Sequence, residues 1–192
     1  MPRLFARRKL TGEKMLELEE RIREENLSRY KNYEIKDLLA EAENLGLKVI
    51  VGDETLDGIR GELTEPPDDD SHKGILRLCA NPNKFDILHE LMHYLINVGV
   101  GNTVDRAYPE DYSSHRESED ANEREINYLS AAILMPLDEM KKRIREYDSK
   151  HLHLNLRDFI MAMQDDYGVT TDCVLMRIQE VRKQMMMEER GA

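Results

Sequence analysis

The residues best suited to chemistry are His89, Glu90 and His93, within the run Ile87-Leu88-His89-Glu90-Leu91-Met92-His93-Tyr94-Leu95. On a helix turning about 100° per residue, side chains four apart lie one turn apart and within about 40° of each other. Both imidazoles can then reach one ion, and a carboxylate directly after the first histidine falls beside that ion without binding it. Two neutral nitrogen ligands and a carboxylate able to take a proton from attacking water are what a zinc hydrolase needs. A catalytic zinc held by two histidines also requires a third protein ligand, commonly a carboxylate from a second helix, and one open position. Glu123 and Glu125 are the candidates. One turn after Glu123 comes Asn127, which can accept the free ring N–H of a ligating histidine, whereas one turn after Glu125 comes Leu129. The reading therefore takes His89, His93 and Glu123 as ligands, Glu90 as general base and Asn127 as the residue that orients a ligand ring.

Several elements must position these groups. Phe85, Leu88, Leu91, Met92, Leu95, Ile96 and Val98 make the motif helix apolar nearly all round, which predicts burial. Asn81 or Asn83 is its expected N-cap, Asp86 complements its dipole, and Gly99 and Gly101 end it. A strand, Gly74 to Ala80, precedes it. Leu47 to Val51 reads as an earlier strand, with Gly58 to Leu63 able to pair with it, and Glu65-Pro66-Pro67-Asp68-Asp69-Asp70 as an exposed loop. Amphipathic helices are expected from Glu13 to about Tyr30 and from Ile35 to Leu45, with Gly46 just past the second. Asn102 to Asp120, without periodicity, predicts a long loop, and Asn122 to Pro136 the helix that carries Glu123. Beyond Pro136 the pattern is helical: Leu137 to Tyr147, a helix around Leu156 to Met163, and one capped by Thr170 or Thr171. The last two resemble a helix-turn-helix. The second mixes Asp172 and Glu180 with Arg177, Arg182 and Lys183, a poor footprint for phosphate, so a supporting or partner-binding hairpin is expected and direct DNA binding is not. The expected organisation is a helical lead (1–34), a catalytic core (35–136) and a C-terminal helical region (137–192).

Composition narrows the function classes. A formal charge of −11 argues against a general binder of nucleic acid or anionic membranes. No apolar run approaches membrane-spanning length, and no hydrophobic signal core follows Arg3, Arg7, Arg8 and Lys9, so a cytoplasmic protein is expected. Cys79 and Cys173 lie too far apart for a disulfide framework or a cysteine zinc site and read as apolar fillers. His72, His115, His151 and His153 fit polar or surface roles, although His115, between the ligand helices, could face the cleft.

His89-Glu90-Leu91-Met92-His93, followed by Glu123-x-x-x-Asn127 and Ala131-Ala132-Ile133-Leu134-Met135-Pro136, resembles the ImmA/IrrE family of metallopeptidases. The resemblance covers about Leu38 to Pro136 and extends more weakly into the C-terminal helices. It implies an α+β fold of gluzincin type: a small three-stranded sheet packed on active-site helices, with the helix-turn-helix-like region after it. It also implies zinc on His89, His93 and Glu123, with Glu90 as general base. Family members typically cleave a helix-turn-helix repressor, so a repressor is the expected partner. In metallopeptidases of this type the strand before the metal helix commonly borders the cleft, which nominates Ile75, Arg77 and Cys79 as substrate-binding residues. Tyr108, Tyr112, His115 and Tyr128 are all candidate oxyanion donors. Met92 replaces a glycine common before the second histidine, and Leu129-Ser130 replaces a common Phe-Ala pair; both bear on helix packing. The rival reading is a non-catalytic, zinc-containing module that binds a regulator, and intact Glu90 favours the enzyme.

Overall fold

The computed structural model describes residues 10–56, 60–68, 71–99, 112–150 and 155–191. Helix α1 (Gly12–Glu24) starts where the Thr11 side chain accepts the Lys14 amide at 3.2 Å, and it buries Met15, Leu18 and Ile22. The sequence predicted one helix to about Tyr30. It stops at Glu24 because Asn26 takes a left-handed conformation, φ 52°, which Asn tolerates better than most residues. A 3-10 turn, Leu27–Asn32, then keeps Leu27 and Tyr30 in the core. Helix α2 (Ile35–Asn44) ends as expected at Gly46, whose φ of 92° an L side chain would strain to adopt.

The sheet has strands β1 (Leu47–Val51), β2 (Gly61–Thr64) and β3 (Gly74–Leu78) in the order β1-β3-β2. β1 pairs with β3 in parallel and β2 pairs with β3 antiparallel, so Gly61 to Leu63, within the stretch expected to pair with β1, pair with β3 instead. β3 is central because Gly-Ile-Leu-Arg-Leu is almost wholly apolar, the pattern of a strand covered on both faces, whereas β2 carries the exposed Glu62 and suits an edge.

Helices α3 (Lys84–Gly99), α4 (Tyr112–Leu134), α5 (Leu137–Lys150), α6 (Leu156–Tyr167) and α7 (Thr171–Gly191) complete an α+β architecture. Among the described residues no helix is long and apolar enough to cross a membrane. α4 begins at Tyr112, ten residues before the predicted start at Asn122. Its first turns, Ser113-Ser114-His115-Arg116-Glu117-Ser118-Glu119-Asp120, have no apolar stripe, so periodicity could not reveal a helix there. The rest of the predicted loop lies outside the described residues. α6 and α7 join through Gly168 at φ 64°, and Thr170 caps α7 by accepting the Cys173 amide at 3.3 Å.

One apolar core runs from Met15 on α1 through Leu76, Leu88 and Leu129 to Val181 on α7. It encloses a polar network. Arg177 on α7 is fully buried; it donates to the Met135 carbonyl at 3.0 Å and to Glu19 at 2.8 Å, and its guanidinium lies over the Tyr128 ring. Tyr128 donates to the same Glu19 oxygen at 2.9 Å and accepts from Gln184 at 2.7 Å. Burial, above all, keeps the Tyr128 phenol protonated. Two further α7 cations are also engaged: Arg182 pairs with Asp148 at 2.6 Å and Lys183 donates to the Leu10 carbonyl. Removing one member of a buried charged pair strands the other, so Arg177→Ala is expected to lower unfolding free energy by roughly 3–5 kcal/mol. Urea unfolding monitored by circular dichroism measures this, and a loss under about 1 kcal/mol would show that the network is dispensable.

Candidate metal centre

α3 is fixed at its start by a reciprocal cap. The Asp86 amide donates to Asn83 Oδ1 at 3.0 Å, and the Asn83 amide donates to Asp86 Oδ2 at 2.8 Å. Asn83, not Asn81, is thus the N-cap. Ile87, Leu88, Leu91 and Met92 are fully buried, which leaves His89 and His93, four apart, turned together toward α4. Met92 is accommodated without loss of the α3–α4 contact. Ser130 is less well served: its hydroxyl is buried and has no hydrogen-bond partner.

The two Nε2 atoms lie 3.2 Å apart. Glu123 on α4 completes the group, its Oε1 3.0 Å from His93 Nε2 and its Oε2 3.4 Å from His89 Nε2. Donor atoms held at about 2.0–2.1 Å by a tetrahedral ion are about 3.3 Å from one another, and each of these separations is close to that spacing, with the carboxylate turning a different oxygen toward each ring. The donor set, two imidazole nitrogens and a carboxylate, suits a borderline divalent ion, and these three residues could hold one. Hydrogen bonds, first from His89 and then from His93, hold the Glu123 carboxyl far below the usual carboxylate range, so it is an anion throughout the physiological range. Both imidazoles are mostly buried and Glu123 is half exposed, which leaves access from one side.

Asn127 departs from expectation. It makes no hydrogen bond among the described residues, and Nδ1 of His89 is buried without a partner. Helical spacing puts Asn127 on the Glu123 face of α4, but a shared face does not fix the reach of a short amide. Glu125 is where an ordinary surface carboxylate would be, paired with Lys14 at 3.2 Å.

Glu90 is 8% exposed, and burial raises its pKa despite the neighbouring imidazoles. Its carboxylate accepts no hydrogen bond among the described residues, so its lone pairs are uncommitted. It packs against β2: a Cβ at Gly61 would lie 3.1 Å from Glu90 Cγ and 3.4 Å from Oε1. The strand bordering the centre is therefore β2, and the nomination of Ile75, Arg77 and Cys79 is corrected. β3 has a strand on each side and no edge to offer. Ile75 is buried between Lys48 and Thr64, Arg77 sits between Ile50 and Glu62 and binds Asp53 at 3.0 Å, and the Cys79 amide donates to the Arg60 carbonyl. Gly61 was the missed residue; its signal was a glycine opening a short polar strand, a mark of close approach. Tyr128 is excluded as an oxyanion donor because it is fully buried and its hydroxyl is committed to Glu19 and Gln184. Tyr108 and the side chains of Tyr112 and His115 lie outside the described residues, as do His151 and His153.

Elemental analysis of purified protein should find about one divalent ion per chain, because three protein ligands and one open position make a single site. His89→Ala, His93→Ala and Glu123→Ala should each lose most of it, and Glu125→Ala should keep it. Retention in Glu123→Ala with loss in Glu125→Ala would reverse the assignment.

Neither a search of curated proteins nor one of solved structures gives a match. The profile of the M78 peptidases, described as the IrrE N-terminal-like domain, matches residues 42–179, a span that contains α3, α4 and the three converging side chains. The chain belongs to this IrrE N-terminal-like family of metallopeptidases.

Proposed function

We propose that this protein is a zinc-dependent endopeptidase that acts in the cytoplasm on one folded regulator of helix-turn-helix type. The observation that carries the peptidase reading is the convergence of His89, His93 and Glu123 beside an uncommitted, nearly buried Glu90. His89, His93 and Glu123 would hold the ion. Zinc, when bound there, supplies a Lewis acid that polarises a peptide carbonyl and acidifies water. Glu90 accepts the proton of the attacking water and delivers it to the leaving amine, a shuttle that its raised pKa and lack of competing hydrogen bonds favour. The outer edge of β2 pairs with no strand among the described residues and runs past Glu90 at Gly61. An extended substrate segment can add there through main-chain hydrogen bonds. The regulator as substrate rests on the family resemblance and on the helices α5 to α7, which supply docking area and no chemistry of their own.

Glu90→Gln should keep metal and fold yet abolish cleavage, because the amide has nearly the same shape and cannot accept a proton. Normal turnover in that variant would remove Glu90 from the mechanism. For the substrate, the comparison is an intact helix-turn-helix regulator encoded beside this protein against casein and a short peptide spanning the cleavage site. Docking at a distance predicts that the regulator is cut much faster than either. Equal rates on all three would make this a general peptidase.

A further inference from the structure

Arg60, the residue just before β2, reaches across to the start of α3. Its Nε and Nη2 lie 2.8 and 2.7 Å from Asp86 Oδ2, and Nη2 also donates to the Asn81 carbonyl at 3.0 Å. The Asp86 oxygen it grips is the one that caps Asn83, and the Asp86 side chain is only 6% exposed. The Arg60 carbonyl, in turn, accepts the Cys79 amide at 3.0 Å, which carries the β2–β3 ladder one step beyond Gly61. Arg60 and Gly61 are consecutive, and their contacts on α3, Asp86 and Glu90, are one helical turn apart. Seating Arg60 on Asp86 therefore seats Gly61 on Glu90.

We propose that the Arg60–Asp86 pair is a positioning device: it sets how far the substrate-binding edge of β2 stands from the metal ligands and Glu90. The inference rests on the peptidase reading above. β2 is only four residues long and among the described residues is flanked by another strand on one side alone, so its ladder leaves it free to shift over α3 unless something fixes it there. The Gly61 contact sets a minimum approach and no attraction. Arg60 supplies the attraction, with a planar fork that lysine cannot reproduce. The arginine is 51% exposed, so the pair contributes little to global stability, and its effect falls on geometry.

Two hydroxamates test this on the zinc-loaded full chain without knowledge of the natural substrate. Acetohydroxamate engages the metal centre alone, and a tripeptidyl hydroxamate also needs the β2 edge. The wild type is expected to bind the peptidyl compound at least roughly tenfold more tightly. Arg60→Ala and Asp86→Asn, which retains an oxygen for the cap, should each erase that preference, and Arg60→Lys should recover part of it. Zinc content, acetohydroxamate affinity and melting temperature should stay at wild-type values, while the amides of Glu62, Leu63 and Thr64 exchange faster with solvent. An undiminished preference in Arg60→Ala overturns the proposal. So does loss of zinc or an equal fall in both affinities, since the pair would then be holding the fold. A wild type that binds neither zinc nor acetohydroxamate overturns the peptidase reading itself, an outcome distinct from a failure confined to the variants.

Discussion

Electron-rich atoms from two helices crowd together: Nε2 of His89 and Nε2 of His93 lie 3.2 Å apart, and the Glu123 carboxylate brings Oε1 to 3.0 Å from the second and Oε2 to 3.4 Å from the first. Their lone pairs repel unless a proton or a metal ion lies among them, so the convergence is unfavourable by itself and has to be imposed by what lies behind each helix. For α3 the backing is apolar, with Ile87, Leu88, Leu91 and Met92 all excluded from water. Behind α4 it is partly polar. Tyr128 projects about 140° round the helix from Glu123, and its hydroxyl is bonded to Glu19 of α1 and Gln184 of α7. Glu123 is thus set from the far side of its own helix.

The α3 half of this arrangement was legible in the sequence, because two histidines four apart on an apolar helix fall on one face a turn apart. The structure brings Glu123, and not Glu125, beside the two histidines, although the hydrogen bond expected from a ligand ring to Asn127 does not occur among the described residues. β3, expected to offer an edge, is central instead: Gly-Ile-Leu-Arg-Leu is too apolar for an edge strand. Arg177 was unreadable for a different reason. In a helix that also carries Asp172, Glu180, Arg182 and Lys183 it looked like one more surface charge, and the partners that bury it are 42 and 158 residues away. Local pattern has no access to contacts of that range.

β2 shows how a short strand can matter more than its length suggests. Its four residues add little to the core, and Leu63 alone packs against it. Yet β2 brings a glycine to the one carboxylate on α3 that accepts no hydrogen bond among the described residues, at a spacing a methyl group would crowd. Gly61 thus borders Glu90 with backbone, which has no rotamer to change, while the Arg60–Asp86 side-chain pair ties the start of the same strand to α3.

The Arg177–Glu19 contact has a temporal meaning as well. It closes a loop of 158 residues, which has to be ordered against chain entropy before the bond can form. During synthesis α3 and α4 leave the ribosome well before α7, and in that interval Glu19 lacks Arg177 and the Tyr128 hydroxyl lacks Gln184. The metal-binding face is thus translated early and secured late, so a nascent or truncated chain has the ligands in sequence without the support that holds them together.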